Sequence, residues 1–105
     1  MRTQEKDRLI DAVLQKNRIE MLKTMAKPIH VSALARKTHL TRATVCYHLT
    51  ILQNVDLVEQ EYVLLKEPSG SKGRVGNFYR VNRERLREAF KIIDDLLTKA
   101  RTGLG

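Results

Sequence analysis

The amino-acid sequence predicts a mainly α fold with one β-hairpin, an α+β architecture in a single domain over residues 1–105. Three observations predict it. Before residue 55 several stretches space their apolar residues three and four apart, and residues suited to helix capping precede most of them. After Asn54 the pattern shifts to Val, Leu and Tyr with partial alternation, on both sides of a glycine-rich tract. The chain then closes with a long segment whose apolar residues return to helical spacing. A chain of this length builds only a modest core, so an added interface would help its stability and an oligomer is expected.

Taken in order, QEKDRLIDAVLQ (residues 4–15) sets Leu9, Ile10, Val13 and Leu14 at helical spacing. Asn17 is the expected cap of a second helix, RIEMLKTMAK, and Pro28 is expected to stop it. Ser32 is expected to cap a short third helix, ALARKT, whose Leu34 and Ala35 face inward. After the brief link of His39 and Leu40, Thr41 caps a fourth helix. Helices joined by so short a turn must cross steeply, which makes residues 31–54 a helix-turn-helix pattern.

LVEQEYVLLK and FYRV, flanking PSGSKGRVGN (residues 68–77), read as a hairpin with a long tip, spanning residues 57–81. Asn82 is expected to cap the last helix, residues 83–101, with Glu84 in its first turn and Lys99 and Arg101 in its last, as the helix dipole favours. On that helix Leu86, Phe90, Ile93, Leu97 and Ala100 form one seam, and Ala89, Ile92 and Leu96 form a second stripe beside it. Two stripes imply two neighbours, the helix's own domain and a partner subunit. A homodimer through the first and last helices is therefore expected, with Leu9, Ile10, Val13, Phe90, Ile93 and Leu97 as its interface.

Twenty Lys and Arg stand against twelve Asp and Glu, for a net charge of +8. That field favours polyanions, with nucleic acid ahead of an anionic membrane. The single cysteine forms no internal disulfide, no apolar run approaches the roughly 20 residues that span a bilayer, and MRTQEKDRL lacks the apolar centre of a signal peptide. A cytoplasmic protein without a membrane partner is expected.

The order helix, helix, helix-turn-helix, hairpin, helix, with VSALARKTHLTRATVCYHLTILQNVDLVE followed by FYRV, resembles the winged helix-turn-helix regulators of the ArsR type. The similarity covers nearly the whole chain. It is most specific over residues 31–58, at Leu34, Ala35, Thr44, Val45, His48, Leu49 and Leu52 through Val58, and Asn17, Arg18 and Ile19 resemble the family's helix-opening segment. The resemblance implies a homodimer joined through its first and last helices, a recognition helix in the major groove and a β-wing beside it. There are departures. Asp56 stands where the family often has glycine, and the wing tip is long and basic. The paired cysteines, or the His and Asp clusters, of the metal-sensing members are incomplete here, so no metal and no cofactor is expected.

Residues 40–52, LTRATVCYHLTIL, hold the chemistry. Val45, His48, Leu49 and Leu52 share an inner stripe, while Arg42, Ala43, Cys46, Tyr47 and Thr50 lie opposite. A recognition helix reads base edges from the outer residues of its N-terminal half, so these, with Thr41 and Thr44, are the candidate DNA contacts. Arg42 suits guanine, Ala43 a thymine methyl, and Tyr47 a phosphate or a base. Lys72, Arg74 and Arg80 on the wing are the candidate phosphate or minor-groove contacts. His48 is expected to be hydrogen-bonded and half-buried, since zinc takes at least three protein ligands and no second one sits at ligand spacing on its helix. His30 and His39 flank the third helix with no predicted site. Cys46 is read as a small inert residue over a redox-sensitive thiolate, because a lone thiol has no resolving partner.

An enzyme is not expected: the chain has no HExxH or CxxC, and SGSKG lacks the Walker spacing and precedes a strand. The sequence thus predicts a dimeric, sequence-specific double-stranded DNA-binding regulator, a repressor, whose operator and effector it does not name. The competing reading is a winged-helix module that binds protein within a larger transcription or processing assembly, which would favour exposed apolar residues over cations on the recognition helix and wing tip.

Overall fold

The computed structural model describes the backbone of residues 1–65 and 74–104, with side chains for residues 1–62 and 76–99. The order is α1 (Thr3–Val13), α2 (Lys16–Thr24), β1 (Ile29–His30), α3 (Val31–Thr38), α4 (Arg42–Asn54), β2 (Val58–Leu65), β3 (Arg74–Val81) and α5 (Arg83–Leu104). The strands form one antiparallel sheet in the order β1-β3-β2. Helices and a small sheet pack around one core that includes Leu9 and Val13 of α1, Met21 of α2, Leu34 of α3, Leu49 and Leu52 of α4, Leu57, Val58 and Ala89.

Caps set the helix starts. Thr41 accepts from the Thr44 amide at 3.1 Å and Asn82 from the Arg85 amide at 3.1 Å, both where the sequence predicted a cap. Two other starts differ. Gln15 accepts from the Arg18 amide at 2.9 Å, so α2 begins ahead of Asn17, which lies inside the helix. The His30 ring accepts from the Ser32 amide at 3.1 Å, so α3 begins before Ser32. α2 ends at Thr24, short of Pro28, and the residues after that proline form β1, a strand the sequence reading did not contain. Ile29 pairs with Tyr79 and His30 with Phe78, which ties the start of the helix-turn-helix to the hairpin.

The helix ends position the site. His39 adopts φ 58° after α3, and the Leu40 amide reaches back to the Ala35 carbonyl at 3.1 Å. That left-handed residue makes the turn between α3 and α4. Asp56 does the same after α4, with φ 62° and the Leu57 amide on the Leu52 carbonyl at 2.9 Å. Glycine is usual in such a position, but aspartate tolerates it, so the turn into β2 keeps its form without glycine.

α5 runs past residue 101 to Leu104 and leaves Phe90, Leu96 and Leu97 exposed. Of the interface candidates, Phe90 and Leu97 stand on the surface, Ile10 and Ile93 are half-buried, and Leu9 and Val13 are buried in the protomer's own core. The last two are therefore not surface residues. The apolar cluster of α1 is spent mainly on its own domain. Among the described residues no helix is long and apolar enough to cross a membrane.

Candidate nucleic-acid interface

α4 has the two faces its spacing predicted. Val45, Leu49 and Leu52 are at most 2 % exposed, which pins one side of the helix to the core. Thr41, Arg42, Ala43, Cys46, Tyr47 and Thr50 are exposed on the other. The Thr41 hydroxyl accepts the Thr44 amide and donates to the Thr44 hydroxyl at 2.8 Å, and Thr44 is half-buried. Thr44 therefore serves the cap more than the outer surface. Thr50 donates to the Cys46 carbonyl at 3.0 Å and is itself exposed. A guanidinium, a thiol, a phenol and small apolar groups thus stand together, at the width of one helix, on an exposed face of the protomer.

His48 behaves differently from its neighbours. It is 5 % exposed, and its Nδ1 lies 3.2 Å from a terminal nitrogen of Arg18. Burial first, and the Arg18 charge second, hold its pKa below the ordinary histidine value. The Tyr47 ring packs edge-on against it, with centroids 5.2 Å apart. His48 is thus a satisfied, neutral core residue, more buried than the half-buried placement its spacing suggested. No three His, Cys, Asp or Glu side chains gather as a metal-binding group among the described residues.

On the hairpin, Arg80 is exposed and pairs across the strands with Glu59 at 3.1 Å. It points away from the sheet face on which Tyr79 and Val81 pack against the core. Both members of this pair are about half exposed, so freeing Arg80 for another anion costs little. Lys72 lies outside the described residues, and so does the side chain of Arg74, whose backbone opens β3.

Tyr62 is a further candidate that sequence reading missed. It is 69 % exposed on β2, opposite Asn77 and two residues along from Gln60, the partner of Tyr79, so it shares the Tyr79 face of the sheet. Burial raises the Tyr79 phenol above its ordinary pKa, and the neighbouring Cys46 thiol and Tyr62 hydroxyl add to the shift. Tyr79 therefore sits between the outer face of α4 and the base of the hairpin, and Tyr62 is on the side of the hairpin that adjoins α4. Its signal in the sequence was a single aromatic residue between the polar run Glu59–Glu61 and the apolar run Val63–Leu65.

No known protein-family signature matches the sequence, and no curated protein is similar to it. Solved structures are. An ArsR-like transcriptional regulator from Rhodococcus sp. RHA1 superimposes with a TM-score of 0.70 at 22 % identity, covering 96 % of this chain and 87 % of that one. The homodimeric winged helix-turn-helix DNA-binding domain of a possible ArsR-family regulator from Mycobacterium bovis gives 0.63 at 20 % identity, covering 92 % and 82 %. HlyU from Vibrio cholerae gives 0.63 at 18 % identity, covering 91 % and 97 %. The chain has the winged helix-turn-helix fold. In its arrangement of five helices and a three-stranded sheet, the fold is that of the ArsR-like regulators.

Proposed function

We propose that this protein is a homodimeric transcriptional regulator that binds double-stranded DNA in a sequence-specific way and acts as a repressor. α4 enters the major groove as the recognition helix, and the hairpin forms a wing on the backbone or in the minor groove. The observation that carries this reading is the split of α4: a core-anchored stripe behind, and Arg42, Ala43, Cys46, Tyr47 and Thr50 exposed in front, following the capped turn at Thr41. Such a face matches base edges in size and chemistry, with a bidentate donor for guanine and a methyl for thymine. The net charge of +8 supports the same partner. Exposed Phe90, Leu96 and Leu97 on α5 supply an apolar surface for the second protomer, and the neighbour from Mycobacterium bovis is itself homodimeric. Selection of bound duplexes from a random pool tests the function. It is expected to enrich one motif with two similar halves related by a dyad; a pool that stays random contradicts it.

A further inference from the structure

Arg18, half-buried near the start of α2, reaches two other helices. Its Nε donates to the Ala12 carbonyl at 2.6 Å and one terminal nitrogen to the Asp11 carbonyl at 3.2 Å. These carbonyls lie in the last turn of α1, where backbone acceptors lack partners within the helix. The other terminal nitrogen meets His48 Nδ1 at 3.2 Å, on the buried face of α4. A guanidinium only donates and stays protonated, so Nδ1 must offer its lone pair. The imidazole is then neutral, with its proton on Nε2. An imidazolium at the same place would set two cations side by side, with N–H facing N–H.

We infer that Arg18 is a positioning residue for DNA binding: through neutral His48 it locks the recognition helix to the end of α1, and protonation of His48 releases that lock. The inference rests on the proposed DNA-binding function and deepens it. His48 is followed on α4 by Leu49 and preceded by the exposed Tyr47, so a turn of the helix about its axis moves Tyr47 and Cys46 together. The apolar stripe alone resists withdrawal of α4 from the core more than rotation upon it, because dispersion contacts are non-directional; the three-way hydrogen bonding of Arg18 fixes the angle.

Other charged groups stand on the elements packed against α4. Arg8 and Asp11 of α1, both exposed, border with Arg18 an open cavity of about 250 Å³ beside Ile51 and Val55. Arg36 and Lys37 of α3 and His39 after it are exposed, and β2 carries Glu59 and Glu61. The charge that opposes the imidazolium is that of Arg18. Among the described residues, Arg18 is the one hydrogen-bonded to the ring. Since burial and Arg18 both lower the His48 pKa, the lock holds near neutral pH and opens in acid.

The test measures affinity for a duplex selected by this protein and for an unrelated duplex, from about pH 8 to about pH 5 at constant ionic strength. The ratio of the two removes the general gain in phosphate attraction at low pH. Gln at position 48 offers an acceptor to Arg18 and does not titrate. Wild type and His48→Gln are expected to agree within about threefold near pH 8. Toward pH 5 the wild type is expected to lose about tenfold of its preference while His48→Gln keeps it. Arg18→Ala is expected to lose preference at every pH, and Arg18→Lys to recover part of it. Superimposable ratios for wild type and His48→Gln overturn the inference. If His48→Gln does not fold, nitrogen NMR of the DNA-free wild type decides: a proton on His48 Nδ1 near pH 8 overturns it, and a proton on Nε2, with α4 amides shifting as the ring titrates, supports it. Failure of the DNA-binding function has its own signature, the absence of any preferred duplex at every pH alongside the Nε2–H tautomer, and it removes the DNA role of Arg18 with it.

Discussion

Replacing Arg85 by alanine tests how the start of α5 is bound to the end of α4. The side chain is 12 % exposed. Its Nε donates to the Val55 carbonyl at 2.9 Å, and its terminal nitrogens meet Glu88 at 3.0 Å and Glu5 at 3.3 Å. Val55 is the C-cap of α4, so its carbonyl has no acceptor role inside the helix and depends on Arg85. A charge-assisted hydrogen bond of this kind contributes about 1.5–3 kcal/mol. The carboxylates are 53 % and 45 % exposed, and such ion pairs contribute about 0–1 kcal/mol each. Open cavities on either side of Arg85 admit water to the orphaned carbonyl in the variant, which limits the loss. Arg85→Ala is therefore expected to cost about 2 kcal/mol, or about 10 °C in Tm for a domain of this size. A Glu5→Gln, Glu88→Gln double variant is expected to cost less than about 1 kcal/mol. Urea unfolding at one fixed protomer concentration measures both, since the stability of a dimer depends on concentration. A double variant as unstable as Arg85→Ala would show that the carboxylates, not the α4 cap, carry the stability that Arg85 supplies.

Three further outcomes follow from the same structure. Leu97→Asp, at a residue 60 % exposed on α5, is expected to shift the sedimenting species toward monomer without unfolding it; a wild type already monomeric at micromolar concentration refutes the interface. Arg42→Ala is expected to relax base preference at one position by about 1–3 kcal/mol, whereas Lys72→Ala weakens all duplexes alike and reduces the salt slope by about one, and equal behaviour in binding titrations would show that readout and positioning have been misassigned. Cys46 is exposed on the outer face of α4, so a bulky maleimide is expected to label it in free protein and abolish DNA binding, while prebound duplex slows the labelling; a thiol labelled equally fast with and without DNA removes α4 from the contact surface.

What the sequence made legible was local. The faces of α4 follow from 3.6-residue spacing, and Thr41 and Asn82 were readable as caps because short side chains cap through their own backbone geometry. Gln15 and His30 cap with longer side chains whose reach depends on the folded surroundings, and a strand of two residues such as β1 is too short to alternate. In α1 the apolar cluster announced a helix, but spacing cannot divide it between the domain and a partner, and the structure assigns Leu9 and Val13 to the core. The bond between Arg18 and His48 joins residues thirty apart, beyond any local pattern. Tyr62 became a candidate only when the register of β2 on β3 set it on the face of Tyr79.

The central claim is that the outer face of α4 reads the major groove, once from each protomer of a dimer. Methylation interference on a selected duplex tests it most directly, because methyl groups on guanine N7 obstruct the major groove and those on adenine N3 the minor groove. The account predicts two patches of guanine N7 interference related by a dyad, centred about 10 base pairs apart or a multiple of that, with the patches weakened in Arg42→Ala. Interference confined to adenine N3, or a single patch with no symmetric mate, would contradict it.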